Sequence, residues 1–213
     1  MPYSILPNLC VFFGSFLLFV VQPMLGRTLL PSFGGSAAVW TVCLASFQTL
    51  LLAGYLYAHF LSKRSRRTQA VLHVLLLILA VLWSAGFAWL RPSLQPVLGN
   101  SAIPSLEVLF CVFVFTGLPY VLLASGSTLV QSWLAQTGSR SVYRLYAISN
   151  LGSFCGLLAY PFVLEPFVSV SAQWWGFAAG LLAYAGFMGS VAKRSEIRAV
   201  SYTHLTLPTI YSV

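Results

Sequence analysis

Apolar residues in this chain come in stretches of about twenty, separated by short polar segments, and do not follow the two-residue or half-helix alternation of water-facing elements. Six such stretches run from about Leu9 to Leu29, Ala37 to Leu61, Gln69 to Leu90, Ser105 to Leu134, Leu145 to Val163 and Ala172 to Val191. Hydrocarbon offers a backbone amide no partner, so a stretch of this length must close its own hydrogen bonds as a helix. The pattern therefore predicts an all-α polytopic membrane bundle of six transmembrane helices.

Punctuation refines the spans. Gln22-Pro23 predicts a kink late in the first helix, because proline removes one ladder donor. Pro31 to Ser36 reads as a tight turn, and Gly117-Leu118-Pro119 as a break in the fourth helix. The segment from Arg91 to Pro104 holds three prolines and a Gly-Asn pair, and reads as a surface loop. Ser105 is a candidate cap, with Glu107 in the first turn behind it. Gln136 to Arg144 forms the next loop.

Composition agrees with lipid as the solvent: 59% of residues are hydrophobic and 7% charged, too few ionic groups to cover a water-soluble core. The formal charge of +8 would suggest nucleic acid in a soluble domain, but it sits in short clusters beside apolar spans with no interleaved aromatic stripe. Nucleic acid is not an expected partner; the bilayer and its anionic lipids are. With the loop after the second helix placed inside, Lys63, Arg64, Arg66, Arg67, Arg140, Arg144, Lys193, Arg194 and Arg198 fall on the cytoplasmic side, leaving Arg27 and Arg91 outside. That asymmetry predicts both termini in the cytoplasm.

Met1 to Leu9 lacks the basic stretch and cleavage site of a secretory signal, so the first span is expected to be retained. Residues 199–213 are rich in Ser and Thr, have no helical period and look like translated adaptor read-through; they are expected to be a disordered, non-native tail after a domain over residues 1–198.

Polar side chains at bilayer depth are costly and face protein or water, which makes them the candidate functional residues. Thr41, Gln48, Tyr55 and His59 fall on one face of the second helix, and Tyr146, Asn150, Ser153, Gly156 and Tyr160 on one face of the fifth. These stripes predict either hydrogen bonds between helices or a shared cavity. Gly152-x-x-x-Gly156 and Gly176-x-x-x-Gly180 predict close packing of the fifth and sixth helices. Arg27, Glu107 and Glu165 lie near the outer ends of their spans. Either Arg27 pairs with one glutamate while the other caps a helix or reaches water, or a free glutamate joins Gln22 or Asn150 in a site for a cationic solute.

Catalytic signals are missing from the sequence. It contains no aspartate, no Gly-rich phosphate or dinucleotide loop and no G-x-S-x-G, and its three glutamates form no pair at catalytic spacing. Cys10, Cys43, Cys111 and Cys155 lie singly in apolar runs and read as packing residues. His59 and His73 have no second ligand at helical spacing. No cofactor, metal or catalytic residue is expected.

Several strings resemble a known family. Gly14 to Arg27 (GSFLLFVVQPMLGR), Leu30 to Trp40 (LPSFGGSAAVW) and Leu52 to His59 (LAGYLYAH), then Tyr146 to Ser153 (YAISNLGS) and Leu158 to Pro166 (LAYPFVLEP), look like the membrane portion of the bacterial fused membrane/spermidine synthase-like proteins. The likeness covers about Leu9 to Val191. It implies a transporter-like domain in the bacterial inner (plasma) membrane, joined at its cytoplasmic C-terminus to an aminopropyltransferase-like domain that binds decarboxylated S-adenosylmethionine and a polyamine. No counterpart of that second domain's nucleotide loop or catalytic aspartate occurs in these residues, so no catalytic position carries over. The leading expectation is a membrane domain that anchors such a synthase-like domain and handles a polyamine or related cation. The alternatives are a stand-alone solute transporter and a structural or partner-binding module.

Overall fold

A computed structural model of the chain describes residues 5–135 and 142–205, with Val142 and residues 195–205 as backbone only. Most of the loop expected from Gln136 to Arg144, and the part of the suspected tail beyond Leu205, lie outside the described residues. The elements are α1 (Ile5–Phe33), α2 (Ala37–Ser62), α3 (Arg66–Leu94), α4 (Pro104–Ala135), α5 (Val142–Ala159), a π-helical turn (Tyr160–Leu164), α6 (Glu165–Phe167) and α7 (Val170–Leu205). Among the described residues there is no strand. Six helical stretches are long and apolar enough to cross a membrane; α5, the π turn and α6 form the fifth, Tyr143–Phe167.

Each span is longer than its apolar run, because helices extend into the interface where polar caps take over. Ser65 caps α3, its Oγ accepting from the Thr68 amide at 3.2 Å, and so draws Arg66 and Arg67 into the first turn. α1 continues through Pro23 and Pro31 to Phe33, so the expected turn shrinks to Gly34, at φ 70°, and its neighbours Gly35 and Ser36. The break expected at Gly117-Leu118-Pro119 does not occur: α4 runs unbroken through Pro119. Lost proline bonds are tolerated where neighbouring helices and hydroxyl groups enclose the freed carbonyl, and Gly117, Pro119 and Tyr120 are all buried. In the fifth span, Pro161 and Pro166 withdraw two amide donors, and the helix widens there, the Glu165 amide reaching back to the Tyr160 carbonyl.

α1 and α4 are the central helices, 61% and 67% buried over their spans, against 17% for the fifth span. α1 packs chiefly on α5 and α4 chiefly on α2; α1 and α4 touch each other; α3 packs on α7. Exchanging spans one to three with spans four to six maps these pairings onto themselves. The local chemistry repeats as well. Cys10-Val11-Phe12 of α1 recurs as Cys111-Val112-Phe113 of α4, with the cysteine and valine fully or almost fully buried in both.

The third helix of each unit begins in the same way. Ser65 and Ser169 each accept from the amide three residues on (Thr68, 3.2 Å; Ala172, 3.3 Å). Gln69 and Gln173 each turn a side-chain amide back onto the preceding span, to the Arg64 and Val168 carbonyls at 2.8 Å in both cases. A second bond goes to Ser62 in one turn and to Leu164 in the other. Three spans separate the two turns, an odd number, so they lie at opposite membrane faces: the bundle is built as an inverted repeat of two three-helix units.

The glycine motifs pack differently from the expectation. Gly152 and Gly156 press against the main chain of α1 at Phe12 and Phe16, where any Cβ would collide with backbone carbonyls. The tight contact is thus between the first and fifth spans. Gly176 has open space beside it, and Gly180 faces Leu17 of α1. A glycine pattern fixes close approach but not the partner, which the inverted topology sets.

Candidate functional site at the crossing of the central helices

α1 and α4, the equivalent helices of the two units, each carry a proline within the span, Pro23 and Pro119. Beside these prolines the two helices are joined: Gln22, half-buried, donates through Nε2 to the Tyr120 hydroxyl at 3.1 Å. Tyr120 is buried, its ring 5.1 Å from that of Phe47 on α2. One amide, one phenol and one phenyl ring from three helices thus meet at this crossing. Every group in the cluster is uncharged, so the crossing offers hydrogen bonding and aromatic contact without a buried charge to neutralise.

Toward the end of α1, Arg27 donates to the main-chain carbonyl of Glu165, not to its carboxylate. The ion pair expected between Arg27 and a glutamate does not form. α6 ends at Phe167, where Val168 turns extended and leaves the Glu165 carbonyl without a helical partner, and the rigid guanidinium fork takes it while the Glu165 side chain stays exposed. The Tyr160 hydroxyl, buried without a well-aligned hydrogen-bond partner, lies beside both groups. Glu107 is committed elsewhere: its two carboxylate oxygens accept from the amides of Gly99 (2.9 Å) and Ser101 (3.2 Å) and staple the loop before α4. Gly99 holds φ 86° there, and a side chain on it would run into Ser32.

The polar stripe on α2 is real but turns outward: Thr41, Gln48, Tyr55 and His59 are all exposed. On the fifth span Tyr146 and Asn150 are exposed whereas Gly156 and Tyr160 are buried, so that stripe winds from the outer surface into the core. The structure brings Gln22 to α4 and Arg27 to Glu165, and leaves Gln48, Asn150 and Glu107 apart from both groups.

Sequence reasoning missed Tyr120, although a tyrosine directly after a mid-span proline could have singled it out. It also missed the hydrogen bonds that join helices: Ser15 with Ser149 (2.7 Å), Trp174 to Thr28 (2.9 Å), Trp133 to Gln69 (2.8 Å) and Trp83 to the Val114 carbonyl (2.7 Å). Comparison with family models, curated proteins and solved structures finds no match for this chain.

Proposed function

We propose that this bundle is the membrane domain of a spermidine synthase-like fused protein. In this reading it sits in a bacterial plasma membrane with both ends in the cytoplasm, anchors an aminopropyltransferase-like domain there, and handles a polyamine or a related cationic solute. The strings quoted above support the family, and the basic clusters support the orientation. For solute handling, the observation that carries the reading is the Gln22–Tyr120 bond at the proline-bearing crossing of equivalent helices. Inverted repeats recur among solute carriers, with the ligand held near midplane at the interface of the two units. Of the acids near the spans, Glu107 is consumed by its loop, so Glu165 is the carboxylate left to attract a cation.

The test is uptake of radiolabelled spermidine by proteoliposomes holding the full chain. Gln22→Ala and Tyr120→Phe are expected to lower uptake at least tenfold, and Glu165→Gln to raise the apparent KM. Uptake that does not exceed that of empty liposomes, from protein that elutes as a single folded species, would refute solute handling and leave the anchor role. Reporter fusions at residues 64 and 194 that localise outside the cell would refute the orientation.

A further inference from the structure

α2 and α3 diverge above their turn, touching little beyond the Tyr57–His73 hydrogen bond at 3.2 Å. Between them lies an open cleft of about 430 Å³, lined by Tyr57, Phe60, Leu61, Lys63, Arg64 and Leu72. Its wall is apolar and its mouth carries two exposed cations. The Lys63 ammonium sits 5.3 Å above the Phe60 ring, and among the described residues neither Lys63 nor Arg64 forms an ion pair.

The inverted repeat supplies an internal control. Leu164, Val168 and Gly176, at positions 104 residues beyond Phe60, Arg64 and Leu72, line a cleft of about 270 Å³ at the opposite face together with Phe13, Leu17 and Met24 of α1; there Phe167 and Val168 stand in place of Lys63 and Arg64, and Glu165 in place of Leu61. The cleft at the opposite face thus has no cation at the positions of Lys63 and Arg64. An apolar groove at the end of a membrane span, with a pair of cations at its mouth, matches an acyl chain below and a phosphate above.

We propose that the α2–α3 cleft is a binding site for one anionic phospholipid, its phosphate between Lys63 and Arg64 and an acyl chain along Phe60 and Leu72. The probes are dioleoyl phosphatidylglycerol and dioleoyl phosphatidylcholine, with dissociation constants read by native mass spectrometry on the full chain released from detergent. Phosphatidylglycerol is expected to bind more tightly. Lys63→Gln with Arg64→Gln weakens it about 25-fold, about five-fold per cation, and leaves phosphatidylcholine unchanged. Leu72→Trp fills the groove and weakens both lipids. Lys193→Gln with Arg194→Gln, a basic pair outside the cleft, changes neither. Unchanged phosphatidylglycerol affinity in the Lys63/Arg64 variant, or an equal loss in the Lys193/Arg194 variant, overturns the site. Competition by glycerol 3-phosphate alone would show a free-phosphate site and overturns the lipid assignment.

Discussion

The turn between α2 and α3 and the turn between α6 and α7 are the same device in two states of completion. In both, a serine caps the next helix and a glutamine folds back to bind carbonyls of the span before. Gln69 is fully used: its Oε1 accepts from the Trp133 indole of α4, and Arg66 lies over that indole at 5.3 Å. Gln173 is not, for its Oε1 is buried without a partner, and the neighbouring Trp174 bonds Thr28 of α1 instead. The first turn is thereby tied to its central helix through the glutamine itself, the second through the residue beside it. A duplicated motif keeps the contacts that satisfy its own backbone, while the contact to the rest of the bundle is free to drift.

The comparison is broken most sharply by topology. In a Cys155→Ser background, with the other three cysteines buried, Ser65→Cys and Ser169→Cys should react with a membrane-impermeant maleimide from opposite sides of intact vesicles; labelling from the same side would end the inverted-repeat description. Next in size is the glycine contact of the fifth span. Gly152→Leu would drive side-chain atoms into the α1 main chain, which cannot yield, and should cost about 3 kcal/mol or more and abolish the single folded peak in size-exclusion chromatography. Gly176→Ala, with open space around it, should change the melting temperature by no more than a degree or two. The most discriminating effect is between the two glutamines. Gln69→Leu removes bonds to Ser62, Arg64 and Trp133 and should destabilise by about 2–3 kcal/mol, whereas Gln173→Leu should cost about 1–2 kcal/mol, because its Oε1 has no bond to lose. Equal losses in thermal melts would mean that the Trp133 bond contributes nothing.

The six spans were legible because hydrocarbon imposes one rule on every twenty-residue run, and side-chain detail hardly enters it. Partners were not legible. Gly152 and Gly156 announce that something comes close, but only the topology shows that it is α1 and not α7. Arg27 and Glu165 are opposite charges at one depth, and they do meet, but through a carbonyl left open where α6 ends, which composition and spacing do not reveal. The repeat escaped notice because little sequence identity survives: Cys-Val-Phe in the central helices, and a serine and a glutamine four residues apart in the turns. Those are the positions where burial or backbone bonding leaves least choice, while lipid-facing positions accept any apolar residue.

The π turn at Tyr160–Leu164 also fixes the length of the fifth span. A wide turn of this kind holds the equivalent of one extra residue in an otherwise regular helix, and each residue swings the chain by about 100°. Removing that residue would restore a regular ladder but swing Glu165 and everything after it around the axis, away from Arg27 and out of reach of the Gln173 amide. A deletion at this point therefore shifts one half of the span against the other, where a local irregularity keeps both ends in register with their neighbours.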